Sequence, residues 1–245
     1  MSGDMRDFYD HPDERAKWGE RTVAQGLYPT EAHLVGVHFV AGSSVLDVGC
    51  GGGREAFALA EMGFAVTAID NDAAFVERVK QGAAERGLSI TTQPADATAL
   101  PFADAQFDHV IMVGQLLGHI RPREKRIQAL REIGRISQGA AIISTNAVER
   151  HALYRLYFAL INAGRKIYNP RDLEPDDALV RRIGGKAQRG ARPVFHWYRT
   201  PALMADARAA GWRVVEMQRR YEFEEGLDKD SESGETFYVL RKDEP

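Results

Sequence analysis

A single cysteine, Cys50, in 245 residues excludes an intrachain disulfide, and nothing in the chain points to an oxidising compartment. No apolar run approaches the ~20 residues of a membrane-spanning helix. The opening residues, Met1-Ser2-Gly3-Asp4-Met5-Arg6-Asp7, lack the apolar centre of a secretory signal. A soluble, cytoplasmic protein with no membrane partner is expected. There is no cysteine pair and no His-x-x-x-His spacing, so no metal is expected either. Internal repeats and low-complexity tracts are absent. What remains is ordinary in bulk: a hydrophobic fraction of 44% supplies a sizeable core, and the length suits one large α/β domain, alone or with an insertion. The net charge of −3 hides an asymmetry. Between Asn146 and Arg199, eleven Lys/Arg stand against five Asp/Glu, so that segment carries +6 and the remainder −9. Such a block suits an anionic ligand or is a solvated helical face.

The chain is organised around Val45 to Asp70. Val45-Leu46-Asp47-Val48 reads as a short buried strand running into Gly49-Cys50-Gly51-Gly52-Gly53. An amphipathic helix follows to Met62, and Ala65-Val66-Thr67-Ala68-Ile69-Asp70 reads as a second strand ending in a carboxylate. This is a β-α-β unit whose glycines lie at the carboxyl end of its first strand, where open α/β sheets bind ligands. Glycines there permit positive φ and close approach to a ligand. The first N–H groups of the following helix are donors, and Asp70 suits ribose hydroxyls. A nucleoside is therefore expected. Gly51-Gly52-Gly53-Arg54-Glu55-Ala56 satisfies G-x-G-x-x-A, so a nicotinamide-dependent oxidoreductase is one reading.

Asp47, inside the strand, points elsewhere. The run Asp47-x-Gly49-x-Gly51-x-Gly53, with Leu46 before it and Asp70 after the next strand, resembles motif I and its following acid in class I S-adenosylmethionine (SAM)-dependent methyltransferases of the small-molecule type. The resemblance implies that Gly49, Cys50 and Gly51 contact the amino-acid end of SAM, with Asp47 ordering the loop and the ammonium. Asp70, beside Asn71, would hold the ribose. Asp96, after a third strand at Ile90–Pro94, would accept from the adenine amino group, and the Ala97 N–H would meet a ring nitrogen. Leu100-Pro101-Phe102 and Asp104 to Asp108 match the family's link into the fourth strand, Phe107 to Gly114. The end of that strand, Val113-Gly114, would lie beside the sulfonium methyl. Ser137-Gln138-Gly139 replaces the family's Pro-Gly-Gly turn. The product would be S-adenosylhomocysteine.

The fold this implies is α/β: a Rossmann-like, seven-stranded, mostly parallel sheet with helices on both faces, an antiparallel last strand pair and a helical insertion after strand five. Four stretches follow: 1–44, an N-terminal helical cap; 45–145, the SAM-binding core; 146–199, a substrate-cap insertion; and 200–245, the helix and strands completing the core. Pro29 and Glu31 suit a helix start, and Tyr9 and Trp18 are aromatics that pack or cover the cofactor. Asn71-Asp72 and Gly87 bracket a helix over 73–86. Pro122 opens another to Ile136. In the insertion, His151 to Ile167 is strongly apolar and reads as a helix and Asp172 to Arg182 as a second; beyond it, Thr200 reads as the N-cap of a helix capped by Gly211 and Trp212 to Glu222 as a strand, while Ala140 to Thr145, before the insertion, reads as strand five.

Methyl transfer from SAM needs mainly alignment and desolvation, with a base where the nucleophile arrives protonated. His119, after the strand-four loop, and His196 are the base candidates, each alternatively a structural histidine. Tyr154, Trp197 and Tyr198 are candidates for binding an aromatic or anionic small-molecule acceptor in the insertion. Cys50 reads as a small residue filling a turn. An RNA or protein methyltransferase gripping its substrate with the basic insertion, and a catalytically silent SAM binder, stand as alternatives; no appended nucleic-acid domain is expected. The oligomeric state is not legible.

Overall fold

The computed structural model describes residues 25–146, 152–169, 172–179, 194–227 and 235–242. Helix α1 (Pro29–His38) starts with proline in its first turn, and the Glu31 carboxylate accepts from the Tyr28 N–H at 2.8 Å, a capping-box bond. Strand β1 (Ser44–Val48) leads through the glycine loop into α2 (Arg54–Glu61), then β2 (Ala65–Asp70). Helix α3 (Ala73–Arg86) opens with the Asp72 carboxylate accepting from the Ala74 N–H at 2.9 Å and closes on Gly87 at φ +66°. Strands β3 (Ile90–Pro94) and β4 (His109–Met112) follow, then a single turn, α4 (Leu116–His119), and α5 (Arg123–Ile136). Strand β5 (Ala141–Asn146) precedes α6 (Ala152–Arg165), β6 (Asp177–Leu179) and β7 (Val194–His196). Helix α7 (Thr200–Ala209), β8 (Trp212–Arg219), α8 (Arg220–Phe223) and β9 (Glu235–Lys242) end the described chain.

The sheet runs β3-β2-β1-β4-β5-β9-β8. Its first five strands are parallel, and β9 pairs antiparallel with both β5 and β8. Period-two alternation divides the core. Val45, Ile111, Ile142, Phe237 and Val239 face a layer with Leu34 of α1, Phe57 and Leu59 of α2 and Val79 of α3. Leu46, Val110, Ile143, Tyr238 and Leu240 face the other, with Leu130 and Ile133 of α5 and Leu203 of α7. Each such side chain, buried, contributes roughly 1.5–3 kcal/mol. The order reverses between β1 and β4, so the cleft of interest opens beyond the carboxyl ends of the strands there.

The expected sheet, its antiparallel end pair and the helix over 73–86 are all present. Three local expectations need correcting. Thr200 is the first helical residue, and Arg199 takes the cap position. The strand expected to reach Glu222 stops at Arg219, where α8 begins. The helix expected over 172–182 is absent from its described part, 172–179: Asp172 and Asp176 have φ of +48° and +67°, and β6 starts at Asp177. The cause is tertiary. Arg199 grips the Asp176 carboxylate at 2.8 Å through both Nε and an NH2, and the acid run turns to meet its cations instead of coiling. β6 and β7 form a separate two-stranded antiparallel ribbon, Asp177 opposite His196. The insertion is thus a helix plus a ribbon among the described residues. Phe8, Tyr9, Trp18 and the end of the second expected helix lie outside them. No helix among the described residues is long and apolar enough to cross a membrane.

Candidate active site

A small, open cleft lies at the strand tips. Gly49, Asp70, Asn71, Asp96 and Ala97 line it, with Leu116 and Ile120 among its apolar walls. Five of the ten residues expected to hold a cofactor therefore converge there. The loop reaches its shape by internal hydrogen bonds. The Gly49 and Cys50 N–H groups both donate to the Ile69 carbonyl (2.8 and 2.9 Å), and Gly53 N–H donates to the Cys50 carbonyl (2.8 Å). Gly49 sits at φ +79°, and a Cβ there would come within 2.6 Å of the Leu116 side chain. Only glycine lets Leu116 lie over the loop. These three loop amides are therefore engaged within the protein.

Asp70 is held by the loop and its own turn. Its Oδ2 accepts from the Gly51 N–H at 3.1 Å and its Oδ1 from the Asp72 N–H at 2.9 Å. Burial raises its pKa, against the opposing effect of these amides. Asp96 uses Oδ1 for the Thr98 N–H and hydroxyl, at 2.8 and 2.9 Å. Partial burial works to raise its pKa, but the Thr98 bonds outweigh it, so the carboxyl sits below its ordinary value. Asp47 lies behind the loop, 2% exposed, and its Oδ2 has no hydrogen-bond partner among the described residues. Burial first, then Glu55 beside it, raises its pKa well above the usual carboxylate range. Cys50 is buried, and burial lifts its thiol, so it fills the turn as a neutral group. Val113 is buried and Gly114 exposed just past β4, where Gly114 and Gln115 both take φ of +63° and turn the chain into α4. The Asn146 side-chain amide donates to Gln115 Oε1, tying the tips of β5 and β4 together.

Sequence reasoning missed a buried charge cluster on the far side of the loop. The Arg54 guanidinium bonds both oxygens of Glu31 (2.6 and 2.7 Å), the Gly26 carbonyl (3.0 Å) and Glu55. Burial opposes its charge, but Glu55 and Glu31 outweigh that and raise its pKa. Burial carries Glu31 up to about 7 against the pull of Arg54. The guanidinium carbons of Arg54 and Arg220 lie 4.1 and 3.4 Å from the Tyr28 ring centre. Glu31 and Arg54 are 23 residues apart, so no local pattern joins them. An arginine directly after the last loop glycine is the one available signal.

The two histidines are brought close. A Cβ on Gly118 would stand 2.7 Å from the His196 carbonyl oxygen, so α4 packs directly on β7. The His119 ring meets the edge of Phe195 at 4.2 Å. Burial lowers its pKa to about 3. His196 Nδ1 lies 2.9 Å from Asp177 Oδ1, and Arg121 Nε lies 3.1 Å from the other Asp177 oxygen. Glu174, Asp177 and His196 come within 4.8 Å of one another. However, Arg126 bonds Glu174 at 2.6 Å and Arg121 faces Asp177, so guanidinium cations already hold these carboxylates. Tyr198 is a correction: it is fully buried, its hydroxyl donates to Asp206 Oδ2 at 3.2 Å, and burial raises its pKa above the ordinary phenol value. It is a packing residue, not an open pocket wall. Trp197 is half-buried, with its ring 5.9 Å from that of Phe158. Tyr154 lies on α6, and its side chain is outside the described part.

His119 carries a pH prediction. An imidazole lowered from 6.5 to about 3 binds its proton in the unfolded chain first. Stability is therefore complete above pH 6.5 and is lost as pH falls toward 3. By pH 5 the loss is on the order of 1–2 kcal/mol. His119→Phe is expected to flatten this slope in urea titrations at pH 7, 6 and 5; an unchanged slope refutes the assignment.

Comparison with known proteins agrees with this geometry. Residues 45–138 match a family model described as a methyltransferase domain. Two ubiquinone biosynthesis O-methyltransferases are similar in sequence. That of Caulobacter vibrioides is 38% identical over 79 residues, covering 32% of this chain and 31% of the relative. That of Coxiella burnetii is 34% identical over 127 residues, covering 52% and 47%. The chain thus matches a third to a half of these relatives' length. Among solved structures, a SAM-dependent methyltransferase of Methanosarcina mazei superposes with TM-score 0.69 at 18% identity, covering 89% of this chain and 98% of that one. The 1,6-didemethyltoxoflavin-N1-methyltransferase of Burkholderia thailandensis, with its substrate and S-adenosylhomocysteine bound, superposes at 0.65 with 20% identity, covering 98% and 87%. The glycine loop, the acids at the strand tips and the strand order converge on one conclusion: the chain has the fold of the class I SAM-dependent methyltransferases, and its residues 45–138 are similar to a methyltransferase domain.

Proposed function

We propose that the chain transfers the methyl group of SAM to an oxygen or nitrogen of a small-molecule acceptor. The observation that carries this is the pair of acids, Asp70 and Asp96, on one cleft whose floor is a glycine loop. The residues present fit such a cofactor. Asp70, oriented by two backbone amides, is set to accept from ribose hydroxyls. Asp96 keeps Oδ2 for an exocyclic amine, because Thr98 takes Oδ1. The unpartnered buried oxygen of Asp47 suits a cationic ammonium nearby, directly or through water. Leu116 and Ile120 supply an apolar wall that excludes water. When bound, SAM supplies a methyl group on a good leaving group.

The acceptor site is assigned to the insertion. The ribbon β6–β7 rests on α4, and α4 contributes Leu116 to the cleft. Of the two histidines, His196 suits the role of base. Asp177 fixes its ring through Nδ1, leaving Nε2 to take a proton. His119, with a pKa near 3, is too weak a base to take up a proton at neutral pH. The names of the two sequence relatives favour oxygen as the first acceptor atom to test.

The experiment is turnover of labelled SAM against catechols, phenols, hydroxybenzoates and amines, with SAM binding measured separately by calorimetry. His196→Asn is expected to lower kcat by about 10²–10⁴ while leaving SAM binding unchanged. Full turnover in that variant removes His196 from the chemistry. Tight SAM binding with no transfer to any acceptor supports the silent-binder reading.

A further inference from the structure

We propose that α6 and the turn after it seat the protein on an anionic lipid surface, lying along the membrane without crossing it. Of the eleven exposed large apolar side chains among the described residues, six fall between residues 153 and 168. Leu156 is 57% exposed, Leu160 66%, Ile167 90% and Tyr168 75%, joined by Leu153 and Tyr157. Single exposed apolar residues need no explanation; a concentration like this does.

The geometry is that of an amphipathic helix anchored by one side. Phe158 is buried, and Asn162 and Arg165 tie the same side to the body of the protein. The Asn162 amide donates to Asp176 Oδ1 at 2.9 Å, and the Arg165 guanidinium to the Glu174 carbonyl at 2.8 Å. Leu156 and Leu160, two residues to either side of Phe158, fall on the opposite side, in one stripe with Leu153. The helix thus holds its apolar stripe outward. Exposed Arg155 on α6 and exposed Lys166 in the turn after it add positive charge beside the stripe in sequence, and residues 152–168 include no aspartate or glutamate.

Charge selects the occupant. Two copies of this face would bring like charges together, which is costly at an interface. Phosphate headgroups answer both the cations and the apolar stripe. The fourteen residues of α6 span about 21 Å, short of the ~30 Å hydrocarbon core, so the helix lies in the interface plane.

The test is co-sedimentation of the whole protein with vesicles of phosphatidylcholine alone or mixed with phosphatidylglycerol. Partition is expected to be about tenfold stronger on the anionic vesicles and to weaken with added salt. Leu156→Gln with Leu160→Gln is expected to abolish it; Arg155→Gln with Lys166→Gln is expected to remove only the anionic preference. Circular dichroism and thermal midpoints check that these exposed substitutions leave the fold intact. No partition on either vesicle, or partition unchanged in the leucine pair, overturns the proposal. So does a dimer that the leucine pair dissolves without any vesicle binding.

Discussion

Arg54→Met is expected to lower the unfolding free energy by about 3–5 kcal/mol, the effect of removing one partner from a buried ion pair. The guanidinium is 7% exposed and is the shared partner of Glu31, Glu55 and the Gly26 carbonyl. Without it, the Glu31 carboxylate keeps the Tyr28 N–H but loses its cation. The defect has a pH signature. Glu31 is carried up to about 7 by burial even with Arg54 present. The folded state therefore holds a proton that the unfolded state releases near 4.5, and stability falls as pH rises through that window. Arg54→Met is thus expected to be mildest near pH 5 and most severe near pH 8. Adding Glu31→Leu should recover part of the loss, because the orphaned charge goes with it. Urea titrations of the single and double variants at both pH values check this; a single-variant loss below 1 kcal/mol refutes it.

Asp70→Ala is expected to weaken SAM binding by 10² to 10⁴. Two charge-assisted hydrogen bonds to ribose hydroxyls are worth roughly 1.5–3 kcal/mol each. The same carboxylate also holds the Gly51 and Asp72 amides, so its loss slackens the loop from beneath. Asp70→Asn separates the two contributions. Its carbonyl oxygen can still meet one amide, but its NH₂ faces the other, and the charge is gone. Calorimetry with SAM and with S-adenosylhomocysteine should rank the affinities parent, then Asn, then Ala. Asp96→Ala is expected to cost less, since Asp96 stands nearer to solvent than Asp70. An Asp70→Ala variant within threefold of the parent defeats the cofactor assignment.

The central strands of the parallel half, β1, β4 and β5, were legible because they are buried on both faces and read as nearly continuous apolar runs. Val45–Val48, Ala65–Asp70 and Ala141–Asn146 stand in the structure close to where the pattern puts them. The cleft acids were legible because each ends a strand or begins the loop after one, at the same end of the sheet. Elsewhere the deciding partners are distant in sequence. The acids at 172–177 resemble a polar helix until Arg199, Arg121 and Arg126 arrive from other elements. Tyr198 resembles a pocket aromatic until Asp206 takes its hydroxyl. Nothing local marks Glu31 as the buried counterion of Arg54.

The last strand, β9, has a consequence for biosynthesis. It lies between β5 and β8, so β8 has no other strand to join. While residues 235–242 are still inside the ribosome, the β5 edge stands open and β8 waits beside it. Until those residues emerge, the nascent domain has two unpaired edges, a state prone to misassembly that ends when the eight-residue β9 slots in.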